Sequence, residues 1–139
     1  MILLDTNVIS EILRPDPALP VKRWMERQPA QSIFTAVICE AEIQLGLALL
    51  PLGRRRRALE EAVMAIFQEV LTDRILPFDR SAAGAYAVIG AVRRKMRRPI
   101  STLDAQIAAI ARAHGATVAT RNVADFTGCG VDIVDPWHV

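Results

Sequence analysis

The sequence has little of what disulfide scaffolds, zinc sites and membrane spans require. Its 139 residues include two cysteines, Cys39 and Cys129, and two histidines, His114 and His138. The cysteines form no C-x-x-C pair, and reduced thiols are expected rather than a disulfide. No apolar run approaches the roughly 18 residues of a transmembrane helix. The start lacks a basic segment ahead of its apolar residues, and that apolar run is too short for a signal peptide. Internal repeats, low-complexity tracts and linkers are also absent. These features predict a soluble cytoplasmic protein without membrane contact, folded as a single domain over residues 1–139.

Hydrophobic residues make up 52% of the chain and charged ones 23%, which is globular composition. Net charge is only +2, but the cations are unevenly spread. Nine of the seventeen basic residues fall in two runs, Arg54-Arg55-Arg56-Arg57 and then Arg93, Arg94, Lys95, Arg97 and Arg98. A single run of this kind is ordinarily a solvated helix end. Two together point toward a polyanionic partner such as nucleic acid.

Strands and helices alternate along the chain. Met1–Leu4 reads as a buried strand, followed by a short helix through Ile9, Ile12 and Leu13 that stops at Arg14-Pro15-Asp16-Pro17. A helix over Pro20–Gln28 has Trp24 as its core anchor. Ser32–Thr35 reads as the second strand. A helix over Val37–Leu50 ends at Pro51 and Gly53, and another spans Arg54–Leu71 with Leu59, Val63, Ile66, Phe67 and Val70 at helical spacing. Ile75-Leu76 is a short strand with Asp79 beyond it, and a helix runs over Ser81–Lys95. Ser101 or Thr102 caps a helix that reaches His114 and stops at Gly115. Ala116–Ala119 and Asp132–Val134 are the last strands. The pattern predicts a three-layer α/β/α fold with a central parallel sheet.

The acids stand at telling places. Asp5 closes the first strand, where open α/β sheets place their ligands, although a helix cap would put an acid there too. Glu40 and Glu42 flank an apolar face read through Val37, Ala41, Leu45 and Ala48, and periodicity does not choose between them. Asp104 opens its helix in register with Ile107, Ala108 and Ala111, which points it inward. The benefit of an acid near the helix dipole does not require that face. Asn122 and Asp125 follow the strand Ala116–Ala119, in positions that turn chemistry alone also favours. All lie at strand ends or helix starts, hence along one sheet edge. Carboxylates gathered there repel unless a cation lies between them, and oxygen ligands without His or Cys suit Mg²⁺ or Mn²⁺ rather than zinc. The two histidines lie far from the acids in the chain and are not expected to act in catalysis.

Several motifs occur in one order along essentially the whole chain. They are Leu3-Leu4-Asp5-Thr6-Asn7 with Ser10-Glu11, Ala41-Glu42 with Leu45-Gly46, and Asp104 with Ile107-Ala108-Ala109. Val118-Ala119-Thr120-Arg121 and the tail Pro136-Trp137-His138 complete the set. In this the chain resembles the PIN-domain ribonucleases of the VapC toxin family, and most of all their FitB-like branch. The resemblance maps the family's acidic site onto Asp5, Glu42 and Asp104, and so selects Glu42 over Glu40. The fourth position, often an aspartate, is Asn122 here, with Asp125 three residues later, and the resemblance lets either one complete the metal shell, directly or through water.

What the resemblance implies is a toxin of a type II toxin–antitoxin system, acting as a Mg²⁺-dependent endoribonuclease, with Mn²⁺ as a substitute. Thr6 and Thr120 would orient a ligand or phosphate, and Arg121 would hold the RNA backbone. The implied partners are an RNA substrate, a second copy of the chain and a VapB-like antitoxin. Higher hetero-oligomers would form with that antitoxin, and operator DNA would be reached only through it. The competing expectation is a non-catalytic PIN-like module that binds RNA or a partner. A phosphoacceptor receiver domain fits less well, because it wants adjacent acids after strand one and a late lysine where Arg121 stands.

Overall fold

Short apolar segments become five parallel strands in the computed structural model, which describes residues 1–139. They are β1 (Ile2–Leu4), β2 (Ile33–Ala36), β3 (Ile75–Leu76), β4 (Thr117–Ala119) and β5 (Ile133–Val134), in the order β3-β2-β1-β4-β5. Leu4 is in register with Thr35 on one side and with Ala119 on the other, so β1 is central. A strand paired on both edges and covered on both faces has to be apolar throughout. Leu3 and Leu4 are 0% and 2% exposed. The chain steps outward from β1 to β2 and β3, then crosses back to lay β4 and β5 on β1's other side. The switch point of the sheet, where such folds leave a crevice, is therefore the carboxyl end of β1.

Seven helices flank this sheet: α1 (Thr6–Ile12), α2 (Leu19–Glu26), α3 (Val37–Ala48), α4 (Arg54–Met64), α5 (Arg80–Lys95), α6 (Thr102–His114) and α7 (Val123–Phe126). The arrangement is the expected three-layer α/β/α fold with a central parallel sheet. Trp24 is buried in the core, as the spacing on α2 implied. At α6 the Ser101 hydroxyl accepts from the Asp104 backbone N–H at 3.2 Å, and Gly115 closes the helix at φ 64°. That left-handed conformation carries no Cβ penalty in glycine. Ile107, Ala108 and Ala111 are fully buried, so the stripe beneath Asp104 faces the core as expected. No helix is long and apolar enough to cross a membrane.

Several elements differ from the sequence expectation. The predicted helix over Arg54–Leu71 is α4 only as far as Met64. Ala65–Val70 winds as a π-helix, with the Leu71 N–H bonded to the Ile66 carbonyl at 2.8 Å. A 3.6-residue periodicity does not register that looser winding. On α3 the core face is Cys39, Ile43 and Leu47, whereas Val37, Ala41, Leu45 and Ala48 are exposed. This helix is apolar nearly all round, so two apolar stripes interleave and periodicity alone does not tell the core stripe from the exposed one. The segment after β4, for which the sequence pattern names no helix, holds the short helix α7.

Leu3 is in the one strand that every other strand depends on. Leu3→Ala is expected to cost about 2–5 kcal/mol in urea denaturation, since a cavity there cannot collapse between two sheet neighbours. A loss below about 1 kcal/mol would show that β1 is not the keystone of the sheet.

Candidate active site

Asp5 is the first residue beyond β1, and its backbone N–H still bonds to the Ala119 carbonyl at 2.9 Å. Its Oδ1 accepts from the Thr6 N–H at 2.8 Å, which makes it the N-cap of α1. The cap is only half of its environment. Oδ2 accepts from the Thr120 hydroxyl at 2.7 Å and from the Asn7 amide at 3.0 Å. Thr120 is 0% exposed, and its oxygen accepts from Asn7 Nδ2 at 3.3 Å and from the Asn122 N–H at 3.0 Å. A hydroxyl with both acceptor positions filled can send its proton only one way, here toward Asp5. Oδ2 is thus saturated, while Oδ1 keeps an unused lone pair.

Thr6 also reaches α3, its hydroxyl donating to Glu42 Oε1 at 2.8 Å. Glu42 borders the buried face formed by Cys39 and Ile43, so it is held against the start of α1. Glu40 turns away and lines a cavity of about 370 Å³ with Gln44, Arg56 and Glu60 beside α4. Asp104 enters from the first turn of α6, half-buried, and Asp125 lies in the first turn of α7.

Electrostatics tie these groups together. Burial pushes the Asp5 carboxyl above its ordinary range, the Thr120 and Thr6 hydrogen bonds pull it back, and the charges of Asp104 and Glu42 raise it further. Burial also raises Asp104; the Ser101 hydroxyl opposes this, Asp125 adds to it and the Arg93 guanidinium lowers it. Cys39, buried beside Asp5, has its thiol pushed up to about 12 by burial and then by the Asp5 charge, so it is a neutral filler and no nucleophile. The ion pairs of the chain are Arg14–Glu11, Arg56–Glu60 and His138–Asp135, and none includes an acid of this cluster.

An all-oxygen donor set with unpaired negative charge suits a hard divalent cation. No three acidic, histidine or cysteine side chains stand close enough to enclose a bare ion. Mg²⁺ does not require that, because it dehydrates reluctantly and is held by one or two carboxylates with water completing the shell. The residues present therefore fit a hydrated Mg²⁺ or Mn²⁺.

Residues 2–126 match the sequence profile of the PIN domain. The chain belongs to the PIN-domain family. It is 39% identical over 138 residues to the VapC ribonuclease Y4jK of Sinorhizobium fredii, covering 99% of each chain. To the toxin FitB of Neisseria gonorrhoeae it is 40% identical over 138 residues, again 99% of both. Among solved structures, a chain of FitAB bound to an IR36 DNA fragment superimposes with a TM-score of 0.94 at 40% identity, covering 100% of this chain and 97% of that one.

In this PIN domain the fold brings Asp5, Glu42 and Asp104 to one edge, and Asp125 joins them through its charge on Asp104. Asn122 contributes its backbone N–H to Thr120, while its side chain is exposed and caps nothing. Of the two roles expected for Thr6 and Thr120, orienting a ligand or a phosphate, their hydrogen bonds to Glu42 and Asp5 match the first, and Thr120 is fully buried. Arg121 is exposed, with its backbone N–H bonded to Asn7 Oδ1 at 3.1 Å. Asn7 itself went unread as a site residue, yet it bonds Asp5, Thr120 and Arg121. The available signal was its place in the Asp5-Thr6-Asn7 motif. Arg93 also departs from expectation. It is buried, and its guanidinium donates to the carbonyls of Arg98, Asp125 and Thr127 at 2.6, 2.9 and 2.8 Å. It fastens α7 to the end of α5 and is no part of an exposed basic patch.

Thr120→Val keeps the shape but leaves the Asn7 amide and the Asn122 N–H each short of an acceptor. It is expected to cost about 1–3 kcal/mol in urea denaturation. A cost under about 0.5 kcal/mol would mean that Thr120 is no hub. A raised carboxyl in the folded state favours the neutral form, so its contribution to stability is full at low pH and is lost as pH rises above the unfolded value of 3.8. In chelator, the stability of wild type relative to Asp5→Asn should therefore fall with rising pH. A pH-independent difference in thermal melts would contradict the raised value.

Proposed function

We propose that this PIN domain is a divalent-cation-dependent endoribonuclease and the toxin of a type II toxin–antitoxin pair. The observation that carries the reading is the set of Asp5, Glu42 and Asp104 at the switch point, buried or half-buried with no paired cation. Asp5 would ligate Mg²⁺ or Mn²⁺ through its unused Oδ1 lone pair, with Glu42 and Asp104 sharing the charge. Asp125 would complete the far side, directly or through water, because its charge reaches Asp104 whereas Asn122 offers only a neutral amide. When bound, the cation supplies Lewis acidity that activates water and offsets charge on the phosphorus and the leaving 3′ oxygen. Thr6 and Thr120 keep Glu42 and Asp5 from swinging away, so the ligands need little reorganisation on binding. Exposed arginines supply sequence-independent, salt-sensitive attraction to RNA.

The names of the relatives support the pairing. FitB is a toxin, and FitAB is bound to a DNA fragment. We therefore assign this chain a small VapB-like antitoxin, a homodimeric toxin core, operator contact through the antitoxin and a place of action in the cytoplasm. The amide at position 122 favours one other reading, a PIN-like module that binds RNA without cutting it.

Cleavage of total cellular RNA by antitoxin-free protein separates the two. With Mg²⁺ or Mn²⁺ the wild type should cut, and Asp5→Asn and Asp104→Asn should each lose about 10²–10³-fold in rate. Chelator should abolish cleavage, and Asp125→Asn should weaken it more than Asn122→Ala. Wild-type protein that binds RNA but leaves it intact with either metal would establish the non-catalytic reading. Growth arrest that survives Asp5→Asn would also defeat the enzymatic one.

A further inference from the structure

The Arg121 guanidinium lies 5.0 Å from the centroid of the Trp137 ring, within cation–π range. Trp137 is held by a tight turn at the end of the chain. Its backbone N–H donates to Asp135 Oδ1 at 2.9 Å, the His138 backbone N–H donates to the Asp135 carbonyl at 3.0 Å, and His138 Nδ1 lies 2.9 Å from Asp135 Oδ2. The Thr120 N–H, donating to the Val134 carbonyl at 2.9 Å, ties this tail to the end of β4. On its other side Arg121 is anchored through Asn7, which bonds Asp5 at 3.0 Å. Trp137 thus meets Arg121 by a cation–π contact, and the Arg121 backbone is linked through Asn7 to the metal-site acid, all at one sheet edge.

The guanidinium itself has no acidic partner, in contrast to Arg14 and Arg56. Its side-chain N–H groups make no hydrogen bond within the chain, and the guanidinium carbon lies over the indole ring. Shielding the indole would require neither the fixed backbone of Arg121 nor the unpaired donors. A guanidinium prepositioned on an aromatic ring takes phosphate in a bidentate manner and offers its other face to an unpaired base.

We propose that Arg121 and Trp137 form the receptor for the nucleotide next to the scissile phosphate of single-stranded RNA, an inference that rests on the ribonuclease reading above. Arg121 binds the phosphate and stacks the base, and Trp137 is a positioning residue that holds the guanidinium flat. Single strands are selected because a paired base cannot reach that face.

The test is binding of a labelled single-stranded oligoribonucleotide of mixed sequence to the full chain in chelator, followed by anisotropy. Arg121→Ala should weaken binding about tenfold and flatten the log–log salt slope by about one. Trp137→Leu should lose a similar factor and the double variant no more than either alone, while Trp137→Phe should retain most of the affinity. Because Trp24 is only 5% exposed in the core, quenching of tryptophan fluorescence by the oligonucleotide reports on Trp137. The same sequence as an RNA duplex should bind more weakly. Arg121 is exposed, so its variant tests the idea even if Trp137→Leu folds poorly. Single variants that bind like wild type, losses that multiply in the double variant, or equal affinity for the duplex would each overturn this receptor alone. Wild-type protein that neither binds nor cuts RNA would remove the nuclease reading along with it.

Discussion

Asp5 is 4% exposed and ionisable, with no cation paired to it, and the rest of the carboxyl edge is arranged around that fact. Burying an unpaired charge costs several kcal/mol even after the surroundings relax. Hydrogen bonds from Thr6, Asn7 and Thr120 recover part of this, whereas Glu42 and Asp104 make it worse. Stability alone would favour an apolar residue or a simple serine cap at this position. A fold that instead surrounds a buried carboxylate with further carboxylates carries a cost that stability does not explain, which is the pattern of a functional site.

The topology explains why the cost falls here. β1 lies between β2 and β4, so its carboxyl end is bordered by the chain leaving three different strands. Glu42 follows β2, Asn122 and Asp125 follow β4, and Asp104 opens the helix that leads into β4. Thr120 serves as the lock because it is the residue just past β4, adjacent to Asp5 across the sheet. Its three hydrogen bonds join the first strand, the first helix and the start of α7 at one oxygen.

The strands, the caps and the inward stripe of α6 were legible because each is written in local chemistry. An apolar run, a serine three residues before an acid and a terminal glycine act over distances of one helical turn. The π-helix after Met64 and the true core face of α3 were not legible, since a winding with a longer period and a helix apolar on all sides defeat a 3.6-residue count. At the site, the identities of Asp5, Glu42 and Asp104 could be taken from motif order, but the partners that fix them could not. Asn7 and Thr120 are 113 residues apart, and only the pairing of β1 with β4 brings them together. Arg93 was misread for the same reason. Its acceptors are backbone carbonyls on a later segment, which no sequence pattern near residue 93 announces.

The two basic runs, alike in composition, are unlike in energetics. The second ends α5, where cations complement the helix dipole, and its Arg93 is committed to the interior. Nothing beyond the fold is needed to account for it. The first run opens α4, where the dipole disfavours each cation by about 0.3–1 kcal/mol, and no acid shares that turn. Arg56 is compensated by Glu60 and the Leu50 carbonyl, but Arg54, Arg55 and Arg57 are exposed without such partners. Arg55 also lines the same cleft of about 260 Å³ as Thr6 and Glu42. A cation kept where the helix resists it, in the cleft that also holds Thr6 and Glu42, is a cost that the fold of α4 does not itself explain. Composition weighted the two runs equally, and the structure shifts the weight for nucleic acid onto Arg55 and its neighbours at the start of α4.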